Sequence, residues 1–570
     1  MDLVADAHVK AFARRLLVVV LCCALGGGAA AASDVPPLVD DARLRNAQTD
    51  DGWLMYRRTY DAQGFAPFDQ IDAGNVAQLR PVFSYPTGLP QGHEAAPLVN
   101  GHVLYFTTPM DHVVALDATT GRELWTYEHP FPPKTLRTVC CDVVNRGLAI
   151  YGGLLYLATL DDHVVALDAQ TGAVVWNRTV AESGIGYAMT SAPLVVGGRV
   201  IVGISGGEYG APGFISAFDA RTGATLWTTP TTPASHEPGS ETWPAGRPAR
   251  GAGPWLTGSY DPETDTLYWG TGNPSPWRAD VRPGANLFSD CVLALDPSTG
   301  KRKWYFQFTP NDEWDYDGVN ENVLADITYK SNRVRALLHA DRNGQFVVLD
   351  RVSGAFLYAT PLVKSTAVLG YDARGNARID PAARLRGNGP AHVCPSSIGG
   401  KNWWPSAYDP VLGRLYVPLS HMCMSMTKTT LEDRVGAPYL GVYSRLVPEP
   451  GSGGFGEVAA LDVSTGARVW SHTYGLPWND GMLATGGNLV FSGSADGYFR
   501  AFDARSGDVL WNAKTDSGII GVPIAYRVDG KEYVAVLAGW GGGVALFGGP
   551  AATATQNIPR GGRLYVYSLP

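Results

Sequence analysis

Charge is scarce in this chain. Asp, Glu, Lys and Arg make up 17% of its 570 residues, and the net charge is -8 at pH 7. An acidic chain without a basic patch lacks the electrostatic footprint for nucleic acid or an anionic membrane. No CxxCH occurs, so covalent c-type haem is not encoded, and CxxC is also absent. His and Cys form no cluster of zinc type. The apolar run Leu16 to Leu25 spans ten residues, far short of the roughly 20 a membrane helix needs, so no stable membrane insertion is expected. No stretch has the composition of a disordered segment.

Glycine and tryptophan are plentiful, at 68 and 16 residues. That composition belongs to a turn-rich, tightly packed β protein. Length alone would suggest three or four domains, but repetitive β architectures fold as one large domain. At the N-terminus, Lys10, Arg14 and Arg15 precede the apolar run, and small residues follow to Ala32. This is the pattern of a signal peptide over 1–32, with one domain over 33–570 and a periplasmic location. Arg14-Arg15 raises a twin-arginine route, although the flanking residues fit it poorly. Five cysteines remain after removal: Cys140, Cys141, Cys291, Cys394 and Cys423. An exported protein can hold disulfides.

The dominant signal is an internal repeat. VVALDATTGRELW begins at Val113, VVALDAQTGAVVW at Val164, ISAFDARTGATLW at Ile215 and VLALDPSTGKRKW at Val292. VVLDRVSGAFLY begins at Val347, VAALDVSTGARVW at Val458 and FRAFDARSGDVLW at Phe499. Each copy reads as strand, Asp-x-x-Thr-Gly turn and strand, ending in an aromatic residue. One such hairpin leaves a face uncovered, and radial stacking covers it, with the Trp wedged between neighbours. SAYDPVLGRLYVPLS, from Ser406, fills the long gap between Asp350 and Asp462 as a degenerate eighth unit. The expected fold is all-β, an eight-bladed β-propeller with tryptophan-docking repeats. The final GRLYVYSLP should pair with sequence near Asn75 to Tyr85 and close the ring. Long insertions such as Pro230 to Gly253 should lie on one face and carry function.

Repeats alone fit a non-catalytic scaffold as well as an enzyme. The discriminating segments lie outside them: GHEAAPL at Gly92, TVCCDVVNRG at Thr138, SGGEYG at Ser205, GTGNPSPW at Gly270, NDEWDYDG at Asn311 and DRNG at Asp341. In this order they make the chain, from about Asp51 onward, resemble the pyrroloquinoline-quinone (PQQ) dependent alcohol and methanol dehydrogenases. The resemblance implies a Cys140–Cys141 disulfide against one face of PQQ and Trp255 against the other. From the residues alone, two free thiols and a core tryptophan are the plainer readings, since neighbouring cysteines close only a strained ring. The resemblance further implies cofactor contacts from Glu94, Arg146, Thr190, Ser205, Gly206, Gly207, Arg342 and Asn402. Guanidinium groups suit the quinone's carboxylates and carbonyls, and the Ser-Gly-Gly run would offer backbone N–H groups. It also implies a Cys394–Cys423 bridge, leaving Cys291 free.

The implied metal set is Glu208, Asn273 and Asp315, all oxygen donors for a hard cation. Asp317 is added because lanthanide-dependent relatives carry this aspartate where calcium enzymes have a small neutral residue. In an extended segment, residues two apart share a side. A lanthanide(III) ion is therefore expected, with calcium as the alternative, and a solvent-facing turn aspartate is the competing reading. Gly253 stands where methanol dehydrogenases carry threonine, and Asn479, after Trp478, where they carry tryptophan. Trp540, in AGWGGG, is expected to wall the substrate pocket.

The implied reaction is oxidation of a primary alcohol to an aldehyde. Asp315 takes the hydroxyl proton, Arg342 sits at the reactive quinone oxygens, and the metal acts as a Lewis acid. The expected partners are a small alcohol, a soluble cytochrome c that accepts the electrons and, as one option, a second copy of the chain. A quinoprotein for sugars or polyols is the rival enzyme reading.

Overall fold

The computed structural model describes residues 36–570, apart from 388 and 479. The signal peptide expected over 1–32 and Asn479 therefore lie outside the described residues. Among those residues strands dominate, and the α-helices are short: Asp41–Arg45, Gly542–Phe547 and Pro550–Thr555.

Eight sheets of four or five strands carry the described residues. The first is typical. Leu98–Asn100, Val103–Thr108, His112–Asp117 and Glu123–Glu128 follow one another antiparallel. The turn between the last two strands shows why the repeat recurs. The Asp117 carboxylate accepts from the Thr119 hydroxyl and from the Thr119 and Thr120 N–H groups, and Gly121 takes a φ of 72°. A short acceptor at the turn's start and a left-handed glycine at its end are what such a turn requires.

The tryptophans connect one sheet to the next. Trp125 donates its indole N–H to the Ala169 carbonyl at 3.3 Å, Trp176 to Ala220 at 3.0 Å and Trp227 to Pro297 at 3.1 Å. Trp304 reaches Val352 at 3.1 Å and Trp470 reaches Ala504 at 3.2 Å. Each acceptor lies in the next repeat's turn. Where the aromatic residue is Tyr358, its hydroxyl donates to Val463. Trp511 packs edge-on against Tyr567 of the eighth sheet, whose Tyr526 donates to Ala118 of the first. The contacts run once through all eight sheets and return to the start.

The makeup of the eighth sheet differs from the expectation. SAYDPVLGRLYVPLS is not a separate unit. Its strands, Ala407–Asp409 and Arg414–Ser420, pair with Gly456–Asp462 and Arg468–Tyr474 as the first half of the Val458 repeat's own sheet. An insertion splits that repeat. The eighth sheet comes instead from the two ends of the described chain: Arg80–Pro86 pairs with Arg563–Ser568, which pairs with Lys531–Ala538, which pairs with Ile524–Val528.

The insertion builds its own three-stranded sheet of Ala391–Val393, Met422–Lys428 and Val442–Pro448. Cys394 and Cys423 form a disulfide there, and Cys291 is a buried free thiol. This sheet and the helix Gly542–Phe547 contribute walls to the cavity described next.

Candidate active site

A cavity of about 530 Å³ gathers most of the predicted residues. Its walls include Glu94, Cys140, Cys141, Arg146, Thr190, Ser205, Glu208, Trp255, Asp315, Asp317, Arg342 and Asn402. These come from loops hundreds of residues apart, and the size lies within the range of small-molecule sites.

Cys140 and Cys141 are joined by a disulfide, and Cys141 and Asp142 both take positive φ. Nearby, Arg146 pairs with Glu94 at 2.8 Å and donates to the Thr190 hydroxyl at 2.7 Å. Its guanidinium lies 5.2 Å from the Trp255 ring centroid and 4.7 Å from that of Trp403. Burial, helped by Asp142 and opposed by Arg146, raises the Glu94 carboxyl to about 7. The Arg146 Nε and Arg342 Nε atoms are buried without a hydrogen-bond partner among the described residues. Two guanidinium groups lining one cavity suit a ligand rich in carboxylate and carbonyl oxygens.

At the acidic end, Arg342 bonds to Asp317, to Asp315 at 3.1 Å and to the Ser397 carbonyl. Asp317 also accepts from the Asn273 N–H at 2.6 Å and from the Trp255 indole at 3.0 Å. Asp317 is 2% exposed, so it does not face solvent as a turn residue. The extended-strand argument for its side also fails, because Asp315 has a φ of 66° in an irregular loop. The two carboxylates nonetheless share the cavity. Burial raises the Asp315 carboxyl well above the usual range, with Asp317 and Glu208 adding to it and Arg342 opposing. Glu208 is raised by burial and then by Asp317.

Two buried carboxylates, Asp315 and Asp317, and the half-buried Glu208 face one guanidinium, so the site is net negative and its possible ligand atoms are oxygens. That donor set fits a hard multivalent cation. Among the described residues no three His, Cys, Asp or Glu side chains already stand at coordinating separation. Asn273 is buried behind Asp317 and does not line the cavity. Gly206 and Gly207 do not line it either, and of the Ser-Gly-Gly run only Ser205 does.

The model for the PQQ "Glucose/ethanol/alcohol dehydrogenase, beta-propeller domain" matches residues 53–368 and 452–534. The quinoprotein alcohol dehydrogenase PedH of Pseudomonas putida is 39% identical, covering 89% of each chain. The lanthanide-dependent methanol dehydrogenase of Methylacidiphilum fumariolicum is 36% identical, over 91% of this chain and 92% of that one. A solved europium-containing methanol dehydrogenase superposes with a TM-score of 0.89 at 36% identity, over 93% of this chain and all of that one. The chain belongs to the PQQ-dependent alcohol dehydrogenase family. It is an enzyme, a quinoprotein that oxidises alcohols.

Trp540 of this quinoprotein does not wall the cavity as expected. It is 1% exposed, and its backbone N–H donates to the Ser517 hydroxyl. Gly541, Gly543, Val544 and Phe547, just after it, line the cavity instead. Trp478 is likewise buried, bonded to the Ser492 hydroxyl at 3.0 Å. Gly253 does not line the cavity, and a Cβ there would lie 3.0 Å from the Ile204 carbonyl. Sequence reasoning missed Trp277, Trp403, Trp404 and the apolar wall from Leu440 to Leu446. The Trp403-Trp404 doublet beside Asn402 was a usable signal. The wall on the inserted hairpin had none.

Proposed function

We propose that this quinoprotein is an exported, eight-bladed, tryptophan-docked propeller, one catalytic domain over 33–570, that oxidises primary alcohols to aldehydes in the periplasm. The observation that carries the site assignment is the single cavity shared by the Cys140–Cys141 disulfide, Trp255, Arg146, Arg342 and three carboxylates. The basic and apolar pattern of 1–32 supports export.

PQQ, when bound, supplies the two-electron acceptor for the alcohol's hydride, and a cation beside it supplies Lewis acidity. The residues that would hold PQQ are Glu94, Arg146, Thr190, Ser205, Arg342 and Asn402, between the cysteine pair and Trp255, with Gly206 and Gly207 shaping the loop behind. Glu208, Asp315 and Asp317 would hold the cation, a lanthanide(III) ion in preference to calcium, with Asn273 behind them fixing Asp317 through its N–H. Asp315 accepts the hydroxyl proton at its carboxylate. Arg342 holds Asp315 and Asp317 in one orientation through its donated bonds. Trp255 and the cysteine pair exclude water. The electrons leave to a soluble cytochrome c, since no haem attachment motif is encoded.

An alcohol with an apolar chain is favoured over a sugar by the walls beyond the charged end. Val442, Leu446, Val544 and Phe547 offer no hydrogen bonds to a second or third hydroxyl, and an unpaired polar group there is costly. The deciding experiment reconstitutes the metal-free protein with PQQ and either ion and follows dye reduction across alcohols and sugars. Asp315→Asn should bind PQQ and turn over no alcohol. Near-parental turnover in that variant would remove Asp315 from the role of base.

A further inference from the structure

The proposed base sits in a backbone conformation that L-residues rarely adopt. Asp315 has a φ of 66°, and a left-handed L-residue costs roughly 1–2 kcal/mol. Such a conformation persists only where its surroundings over-determine it. The restraint is visible three residues upstream. The Asp312 carboxylate accepts from the Trp314 N–H at 3.0 Å through Oδ1 and from the Tyr316 N–H at 2.9 Å through Oδ2. Trp314 and Tyr316 flank Asp315, so one carboxylate holds the backbone N–H of the residue on each side of it.

Asp312 is itself fixed. It is fully buried, and Arg282 donates to its main-chain carbonyl. The same guanidinium holds the Pro276 carbonyl at 2.6 Å and the Asn286 amide oxygen at 2.8 Å. The flanking side chains are pinned as well: Trp314 donates to the Ala383 carbonyl at 3.2 Å and Tyr316 to the Pro395 carbonyl at 2.6 Å. With both neighbours anchored, the orientation of Asp315 depends on the peptide groups between them. Asp312 does not line the cavity, so it has no route to substrate or cofactor except through the loop.

We propose that Asp312 is a positioning residue whose two-pronged carboxylate holds Asp315 in the left-handed conformation that aims it into the cavity. The inference rests on the reading of Asp315 as base and metal ligand given above. It requires two acceptor oxygens. Asparagine keeps one and turns an NH2 donor toward the other N–H, leaving a buried donor unpaired.

The test is Asp312→Asn in the PQQ-loaded enzyme, beside Asp315→Asn and Asp312→Glu. Turnover is normalised to bound PQQ, and europium luminescence lifetimes in H2O and D2O count the waters on the ion. Asp312→Asn should bind PQQ and europium, lose about 10²-fold in kcat with KM little changed, and add water to the europium shell as Asp315 withdraws. Asp312→Glu retains both acceptors and should recover part of the rate. If Asp312→Asn fails to fold, Asp312→Glu carries the same test with a smaller loss in kcat and a smaller gain of water. Unchanged kcat per bound PQQ and an unchanged europium lifetime, while Asp315→Asn is inactive, would overturn the proposal. Full activity in Asp315→Asn would instead remove the reading of the base on which it stands.

Discussion

Trp255 donates its indole N–H to the Asp317 carboxylate at 3.0 Å. The bond joins the ring expected to face the quinone to the carboxylate expected to choose the metal. Asp317 is thus a hub, taking Trp255, the Asn273 N–H and Arg342 at once. A buried carboxylate with three charge-assisted or neutral donors is fixed in place before any cation arrives.

That placement sets the metal prediction. One further negative charge at ~2.5 Å and an effective dielectric of ~20 is worth several kcal/mol per unit of metal charge, favouring a trivalent over a divalent ion. The parent enzyme should be more active with a light lanthanide than with calcium. Asp317→Asn keeps the shape and loses the charge, so the ratio of lanthanide to calcium affinity should fall steeply. Asp317→Ala also strands the three donors and should lose stability besides. Competition titrations and dye reduction with either ion measure both effects. A parent enzyme as active with calcium as with a lanthanide would return selection to other ligands.

A second prediction concerns how the sheets meet. Gly300 closes the Asp296 turn at a φ of 68°, and a Cβ there would lie 2.5 Å from the Trp227 ring. Gly300→Ala combines left-handed strain with overlap against the Thr229 hydroxyl and against an indole bonded to Pro297 in the same turn. The expected loss is about 2–5 kcal/mol. Gly530 has a φ of 77° and nothing within 4 Å of a Cβ, so Gly530→Ala should cost only the strain. Denaturant melts of the two variants separate the contact from the backbone term, and equal losses would show that the tryptophan contributes nothing there.

A third prediction concerns the cavity mouth. Tyr443 and Phe547 line the cavity yet remain 61% and 56% exposed. A longer alcohol whose chain runs out along this wall would meet them. Truncating an aromatic side chain that covers substrate removes up to about 1.5–3 kcal/mol of burial. Phe547→Ala and Tyr443→Ala should therefore lower kcat/KM for hexanol by about tenfold or more and leave ethanol nearly unchanged. Equal losses on both alcohols would mean that neither ring touches the chain.

Much of this is legible in the sequence. The Asp-x-x-Thr-Gly turn and its trailing tryptophan recur because local chemistry suffices to form them: Asp117 satisfies its own turn, and Trp227 needs only the next turn's carbonyl. Site residues embedded in distinctive short segments, such as Arg146 and Asp315, were legible for the same reason. Non-local features were not. The Ser406 segment read as a separate unit because 422–448 interrupts the repeat to which it belongs. The eighth sheet shows no repeat because distant segments supply it. Leu446 and Val544 carry no motif, and their place in the wall depends on how an insertion and a helix dock. Asp317 does not follow strand alternation because the left-handed backbone at Asp315 breaks it.

The inserted sheet suggests a last prediction, on pH. His421 lies between Ser420 and Cys423, where the chain passes from the Val458 repeat's sheet into the insertion. Its Nδ1 meets Glu449 at 2.9 Å and its Nε2 meets Glu457 at 2.6 Å, while Arg468 pairs with the other oxygen of Glu457 at 2.7 Å. Burial alone would lower the imidazole's pKa, but the two carboxylates outweigh it and raise it to about 9. The folded state therefore holds a proton that an unfolded chain, titrating near 6.5, has already lost over much of the interval. Stability from this group is complete below about 6.5 and is lost as pH rises through about 9. The melting temperature should accordingly fall across that window. His421→Gln keeps hydrogen-bonding capacity without the charge, so it should melt lower than the parent at pH 6.5 and approach it by pH 9.5. A constant gap between the two across the window would mean that His421 is neutral in the folded protein and that Glu449 and Glu457 are held some other way.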